Sequence, residues 1–545
     1  MMRLAERCAV VLLVGFLSAP AGAKVHLKRH RPKPLKVQIG RLLADPDVQR
    51  AHWGIAVTKM DGTVVYSLNE GQFFQPASNA KLFTTAAAMA LLGPKSTVET
   101  RIEGHGVFDG PSKLTGDLVL IGAGDANLSG RVVPYVPPAE RPVPAPPAPA
   151  PLRYLEEMAD QVAATGLKVV NGDVVGDDTS FVWQPYAQDW AIDDTVWGYG
   201  APVSALSMND NQLKLTVTPG GEMGRPATVA VDPDVPYYIL DTTGLLTGAA
   251  KSGDHLGIDR ALGSETLRIY GTIATDAPPD VEEVAIQDPA EYAAVALKAM
   301  LAARGVEVTG KARAKHLNPM ETKGFLDQVQ EPVSPSLLEE AKNGLSCITV
   351  ADGPRTSVQT RVMASHLSVP LEEDVVLTNK VSQNLHAEIL LRRMGRISPS
   401  SLCKGSIATG AQMVRAFLEN AGIDKDDFVF FDGSGLSGHD LVTPRATVRL
   451  LQYVAGQPWF ADWKVSLPVG GEDGTLAWRF AKPPLKGHVF AKTGTLGEAR
   501  ALSGYLECAS GKTVIFSIMV GNHAPHSHAD ESVMDRIVAA IAATN

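Results

Sequence analysis

Ser78 and Lys81 stand three residues apart in Gln75-Pro76-Ala77-Ser78-Asn79-Ala80-Lys81, at the head of an apolar run that reads as a helix. Positions i and i+3 share one helix face, so this spacing sets a hydroxyl beside an amine. A serine hydroxyl is a poor nucleophile near neutral pH unless a neighbouring base takes its proton, and Lys81 is the candidate base. The chemistry such a pair supports is acyl transfer through a serine ester. Because Ser78 falls near a helix N-terminus, the unpaired N–H groups there favour developing negative charge.

Chance alone supplies about one or two Ser-x-x-Lys matches in a chain of this size, and Ser401-Leu402-Cys403-Lys404 is a second copy. No strong helix body follows it, so we read it as coincidence. Ser-x-Asn also recurs, at Ser67-Leu68-Asn69 and Ser207-Met208-Asn209, but Ser382-Gln383-Asn384 alone leads directly into an amphipathic run, Leu385 to Arg393. There Ser382 is expected to pass a proton between Lys81 and a leaving amine, and Asn384 to hold Lys81 and a substrate amide. Ser382 could equally cap the helix that follows, and the two roles are compatible. Lys492-Thr493-Gly494-Thr495 occurs once, at the end of an apolar run, as expected of an edge strand facing a cleft. Gly494 would let a substrate strand approach the backbone. Lys492 and Thr493 would bind a terminal carboxylate, and the N–H groups of Ser78 and Thr495 would form an oxyanion hole.

These residues need elements to carry them. Gly54 to Met60 and Thr63 to Leu68 alternate apolar and polar around Asp61-Gly62, which predicts an antiparallel hairpin. Pro76 opens a helix whose body, Lys81 to Leu92, stops at Gly93-Pro94. Far downstream, Val489 to Lys492, Ala501 to Glu507 and Lys512 to Val520 read as strands, and Ser532 to Ala543 as a closing amphipathic helix. Neither group of strands is large enough to bury a sheet alone, so one antiparallel sheet of about five strands, flanked by helices, is expected to join the chain ends. The fold class is α+β, with β-rich domains inserted between the halves. Within the insertion Gly116 to Ile121, Val169 to Val175 and Gln212 to Thr218 read as strands, and Pro289 to Ala303 as a helix. Residues 134–151 hold nine of the 37 prolines and read as an extended surface loop.

At 545 residues, 45% hydrophobic and 20% charged, the chain can bury more than one core. A net charge of -9 with no basic run beyond residue 36 excludes the footprint of a nucleic-acid binder, so no nucleic acid is expected as a partner. Arg3 and Arg7, an apolar stretch from Cys8 to Phe16, and Ala21-Gly22-Ala23 read as a signal peptide over 1–23, too short for a membrane span. Cys347, Cys403 and Cys508 then remain, so at most one bridge can form and no metal knuckle is present. His523, His526 and His528 read as a solvated loop, with no metal site.

Serine β-lactamases and penicillin-binding proteins combine Ser-x-x-Lys, Ser-x-Asn and Lys-Thr-Gly in this order. More specifically, the chain resembles the D-alanyl-D-alanine carboxypeptidase/endopeptidase family of class C low-molecular-mass penicillin-binding proteins. Pro76-Ala77-Ser78, Gly172 to Asp178, Tyr199 to Leu206, Asp432-Gly433-Ser434-Gly435-Leu436-Ser437 and Gly474-Thr475-Leu476 carry that resemblance. It implies cleavage of D-Ala-D-Ala termini or D-alanyl cross-links in peptidoglycan stem peptides, a penicilloyl-serine adduct with β-lactams, a periplasmic or envelope location with peripheral membrane or wall association, and no cofactor. It also implies a discontinuous catalytic domain (34–97 and 361–545), an inserted domain (98–206 and 277–316) and a nested one (207–276), leaving 317–360 as an extra segment. A β-lactamase on the same catalytic domain and a non-catalytic wall-binding protein are the competing readings. Two positions depart from the family pattern: Gln383 stands where Asp is common, and Gly438-His439-Asp440 where a basic or amide residue usually follows Ser437.

Overall fold

The computed structural model describes residues 34–342, 359–398, 401 and 404–545. The expected leader, Cys347 and Cys403 lie outside the described residues, while Cys508 is buried with a free thiol.

The chain ends share one antiparallel sheet. Its strands are β1 (His52–Lys59), β2 (Val64–Leu68), β3 (Val489–Leu496), β4 (Ala499–Glu507) and β5 (Thr513–Gly521), ordered β3-β4-β5-β1-β2 in space. β5 is central and pairs with β1 from Gly521 opposite His52 to Val514 opposite Lys59. Alternation along these strands sorts their side chains into two cores. Ile55, Val57, Phe516 and Ile518 meet Ile39, Ile537 and Ile541 of the terminal helices Leu35–Leu43 and Ala529–Thr544. Ala56, Ile515 and Met519 meet Phe83, Leu390 and Leu451 on the opposite face. With both faces covered, β4 and β5 are buried along nearly their whole length, whereas the outer strand β2 stays partly exposed.

Phe83 belongs to α1 (Ala80–Leu91), in which only Ala90 escapes full burial. A single 3-10 turn, Ala77–Asn79, precedes it and carries Ser78. Two further helices frame the site, α2 (Leu371–Lys380) and α3 (Asn384–Arg396). The 489–492 strand expected from sequence runs on to Leu496, so Lys492-Thr493-Gly494-Thr495 lies within an edge strand and not beyond its end.

Residues 99–317 build a second core. The hairpin Glu99–Asp109/Lys113–Ile121 anchors a seven-stranded mixed sheet covered by the helices Arg153–Ala164 and Pro289–Ala303. The single strand expected at Val169 to Val175 is two, Val169–Asn171 and Val174–Val182, and between them Gly172 passes so close to Gly116 that a Cβ would sit 2.2 Å from its carbonyl oxygen. Pairing also crosses the expected domain limits. Gln359–Leu367 lies antiparallel to Glu99–Asp109, bringing residues 361–367 into the interior sheet. Asp280–Ala285 pairs with Gln212–Thr218, tying the nested segment to the strand that follows it. Part of the extra segment, Phe325–Val329, joins the catalytic side, where Phe325 stacks on Phe431 with ring centroids 4.8 Å apart.

The proline-rich loop is mostly exposed, but it is not uniformly extended: Pro138–Glu140 forms a 3-10 turn. Its Tyr135 hydroxyl accepts a hydrogen bond from the Gly474 N–H at 3.3 Å, docking the loop beside the catalytic sheet.

Candidate active site

Ser78 is half-buried in the middle of the 3-10 turn, and the residue before it, Ala77, is held at φ 45°. A left-handed alanine costs on the order of 1–2 kcal/mol, a strain that persists only where the surroundings fix it. Here Gly435 (φ 82°) packs against Ala77 so closely that a Cβ would lie 1.8 Å from the Ala77 carbonyl oxygen. Asn79 adds a bond from its Nδ2 to the Lys492 carbonyl, 3.1 Å, which ties the turn to β3.

Lys81 Nζ is fully buried and has three neighbours: Ser78 Oγ at 2.8 Å, Asn384 Oδ1 at 2.6 Å and the Ser434 carbonyl at 2.8 Å. The last two can only accept. A neutral amine has two N–H donors and one lone pair, so the donors are taken by Asn384 and Ser434 and the lone pair is left for the Ser78 O–H. Burial lowers the Lys81 pKa to about 7 even though Asp432, Glu388 and Asp440 pull the other way. The neutral base is therefore accessible near physiological pH.

The second and third motifs meet each other. Ser382, at φ 60°, accepts a 2.9 Å bond from Lys492 Nζ, and Lys492 also donates to the Thr493 carbonyl at 2.9 Å. Burial, then the charge of Lys81, holds the Lys492 ammonium well below the usual lysine range. Among the described residues Ser382 meets Lys492, and one expectation is corrected: the cap of α3 is Gln383 and not Ser382, the Gln383 Oε1 accepting from the Leu385 N–H at 3.3 Å. Lys492 does not face open solvent either. Strand alternation turns it inward with Gly494, while Thr493 is half-buried, Thr495 exposed, and Thr493 Oγ1 lies 2.8 Å from Thr475 Oγ1. Gly494 is pressed against the nucleophile's turn, where a Cβ would lie 3.1 Å from the Ser78 nitrogen.

A cavity of about 900 Å³ opens over Ser78, Ser382, Asn384 and Thr495. Its far wall comes from the interior core, through Asp189, Asp194 and Tyr199. The insertion thus forms part of the site's lining. Other contributors were invisible in the sequence pattern because they act through backbone groups. The Tyr199 carbonyl accepts from Asn384 Nδ2 at 2.9 Å, and Ser434 offers its carbonyl to Lys81. Glu388, fully buried, accepts from the Gly433 and Ser434 N–H groups at 2.8 and 2.9 Å and so fixes that carbonyl. Their sequence signal was the resemblance carried by Tyr199 to Leu206 and Asp432 to Ser437, which gave no role to either carbonyl.

Ser401, of the second Ser-x-x-Lys, donates to the Arg396 and Ser398 carbonyls and is buried, consistent with coincidence. His526 and His528 are exposed as expected, but His523 is buried 3.8 Å from Asp530. Among the described residues no three His, Cys, Asp or Glu side chains converge as a metal-ligand set.

Behind α3, His386 is fully buried between Asp374 Oδ1 at 2.6 Å and Asp210 Oδ1 at 3.2 Å. Burial alone would lower its pKa, but the two carboxylates outweigh it and raise it to about 9. A histidine whose folded pKa exceeds its unfolded value stabilises fully below about pH 6.5 and loses that contribution as pH rises through the folded value. Thermal denaturation is thus expected to show stability falling between about pH 6.5 and 9. His316, between Asp178 and Asp288 with its pKa raised to about 10, extends the decline upward. Between about pH 6.5 and 9 both histidines contribute, so His386→Asn should roughly halve the slope there and leave the part above about 9, and an unchanged slope would contradict the assignment.

A Ser-x-x-Lys helix set against a five-stranded antiparallel sheet, with a Lys-Thr-Gly edge strand, defines the serine β-lactamase and penicillin-binding fold class. The fold likeness extends over nearly the whole chain: penicillin-binding protein 4 from Haemophilus influenzae superposes with a TM-score of 0.72 at 21% identity, covering 92% of this chain and 97% of that one. A complex of that protein with a novel β-lactam matches at 0.67 and 21%, with the same coverage. In sequence, a D-alanyl-D-alanine carboxypeptidase from an Actinomadura species is 31% identical over 533 residues, 96% of this chain and 87% of that protein. The D-Ala-D-Ala carboxypeptidase 3 (S13) family matches residues 35–339 and 336–543, and the chain belongs to it. It is a serine-type peptidase.

Proposed function

We propose that the protein is an exported D-Ala-D-Ala peptidase acting on peptidoglycan stem peptides through a Ser78 acyl-enzyme. The observation that carries this is the environment of Lys81 Nζ, whose two acceptor-only partners leave its lone pair to the Ser78 hydroxyl. Lys81 takes the Ser78 proton as Oγ bonds to the carbonyl carbon of the penultimate D-alanine. The resulting oxyanion is received by the N–H groups of Ser78 and Thr495, each worth about 3 kcal/mol of barrier. Its collapse breaks the amide bond, and Ser382 gives its proton to the leaving nitrogen, replenished from Lys492 at 2.9 Å. The positive charge now on Lys81 favours that transfer by repulsion. Thr493 and Thr475 offer hydroxyls to the terminal carboxylate.

Deacylation runs the same path in reverse. Water takes the place of the departed amine, its proton passes through Ser382 to Lys492, and Ser78 leaves with the proton held by Lys81. Both lysines return to their starting state. A terminal D-alanine and a peptide joined through a D-alanyl cross-link are equally leaving amines in this scheme. Residues 1–23 serve export, residues 34 to about 97 and about 368–545 form the catalytic unit, and the interior strands form its insertion.

A fluorescent penicillin is expected to label the envelope-fraction protein, beginning at Lys24, and to leave Ser78→Ala unlabelled. Equal labelling of the two would overturn the proposal.

A further inference from the structure

Asn209, Asp210 and Asn211 are three successive non-glycine residues in the left-handed region, at φ 50°, 56° and 54°. Asn and Asp tolerate that conformation best, but a run of three is held only by surrounding bonds. Asn211 supplies two of them, from Nδ2 to the Pro202 carbonyl at 2.9 Å and from the Met208 N–H to its Oδ1 at 3.0 Å. Asn209 Nδ2 adds a third, to the Gln212 carbonyl at 2.9 Å. The result is a rigid tongue from the interior core with one carboxylate at its tip.

That carboxylate, 4% exposed, ends on the second catalytic motif. Oδ2 of Asp210 accepts from Gln383 Nε2 at 3.2 Å and from Arg131 Nε, and Oδ1 accepts from His386 Nε2 at 3.2 Å. Gln383 and His386 flank Asn384 and Leu385 at the start of α3. Asn384 is the residue whose Oδ1 holds Lys81 at 2.6 Å and whose Nδ2 is held by the interior Tyr199 carbonyl. The same interior segment reaches Lys81's other acceptor, because Trp190 Nε1 donates to Asp432 Oδ2 at 2.9 Å beneath the Ser434 carbonyl. Although the cluster also contains Asp125, Asp374 and Arg393, Asp210 is the member that crosses from the insertion to the motif.

We propose that Asp210 is a positioning residue for the acyl transfer: through Gln383 and His386 it fixes the Ser382-Gln383-Asn384 turn, and so the angle at which Lys81 meets Ser78. The insertion is then part of the catalytic framework and not only a carrier of substrate surface. A small displacement of a reacting group costs up to about a hundredfold in rate without weakening ground-state binding. This inference rests on the acyl-enzyme reading, and the assay separates the two.

The test is stopped-flow acylation by a chromogenic penicillin, resolved into the pre-acylation dissociation constant and the acylation rate constant. Asp210→Ala is expected to lower the rate constant by about ten- to a hundredfold with the dissociation constant within about threefold. Gln383→Leu keeps the Asp210 contacts to His386 and Arg131 and removes the link to the turn together with the Oε1 cap of α3. It is expected to fold with a melting temperature lowered only by the loss of one cap and to lose about five- to tenfold in the rate constant, so it decides the matter should Asp210→Ala fail to fold. Acylation within about twofold of wild type in the folded variants, or a weakened dissociation constant with an unchanged rate, would overturn the role. Failure of the unmodified protein to be acylated would instead overturn the acyl-enzyme reading.

Discussion

Lys81→Met is expected to lower the acylation rate constant by about a hundred- to ten-thousandfold, the range that a positioned general base supplies. Methionine keeps the length and fills the buried space, but it has no lone pair on nitrogen for the Ser78 proton. Lys81→Arg should be no better, because a guanidinium stays protonated and its planar fork cannot present a lone pair to the hydroxyl. The wild-type rate carries its own signature. Only the neutral amine is a base, and its pKa is about 7, so the acylation rate should rise about tenfold per pH unit below that value and level off above it. A rate for Lys81→Met within tenfold of wild type, or a wild-type profile flat from about pH 5 to 9, would show that another group takes the proton. The penicillin acylation assay reads both.

The parts of this site that could be read from the chain are those in which local spacing determines geometry. Ser78 and Lys81 sit on one short turn and the helix it opens, so their 2.8 Å contact follows from i and i+3. The five-stranded sheet was readable because two distant groups of strands, each too few to bury a sheet alone, demanded one shared core. What the pattern hid is contact made through the backbone or across a long separation in sequence. The carbonyls of Ser434 and Tyr199 have no residue signature, and any side chain could carry them. The inward turn of Lys492 depends on β3 continuing to Leu496, which an apolar run ending at Lys492 did not reveal. Asp210 lay inside Ser207-Met208-Asn209-Asp210, a stretch noticed only as an accidental Ser-x-Asn, because no local period links it to a turn more than 170 residues away. The cap of α3 shifted by one residue, from Ser382 to Gln383, because the left-handed Ser382 is committed to Lys492 and leaves the cap to its neighbour.

The position of β3 relative to Ser78 gives the second large effect. Gly494 carries no side chain, and the space one would need is already filled: a Cβ would lie 2.6 Å from the Pro76 carbonyl oxygen, 3.1 Å from the Ser78 nitrogen and 3.2 Å from the Ala77 Cβ. The nearest of these is backbone, in a turn clamped by Gly435 and by Asn79, so the turn cannot yield. Gly494→Ala must therefore push the edge strand outward. Within the sheet β3 pairs with β4 alone, and its other backbone bonds, from Asn79 to the Lys492 carbonyl and from Pro468 and Gly470 to Ala491 and Val489, lie before Gly494, so the end beyond them can move by a few tenths of an ångström without unfolding the sheet, carrying Thr495 away from the Ser78 amide. An oxyanion hole works only when both donors meet the developing charge, and losing one costs about 10²–10³-fold in rate. The expected result is that loss in the acylation rate constant, with Ser78 still slowly labelled and the dissociation constant less affected than the rate. Loss of binding with an unchanged rate would mean that β3 serves only to hold the substrate, and that the oxyanion donors lie elsewhere.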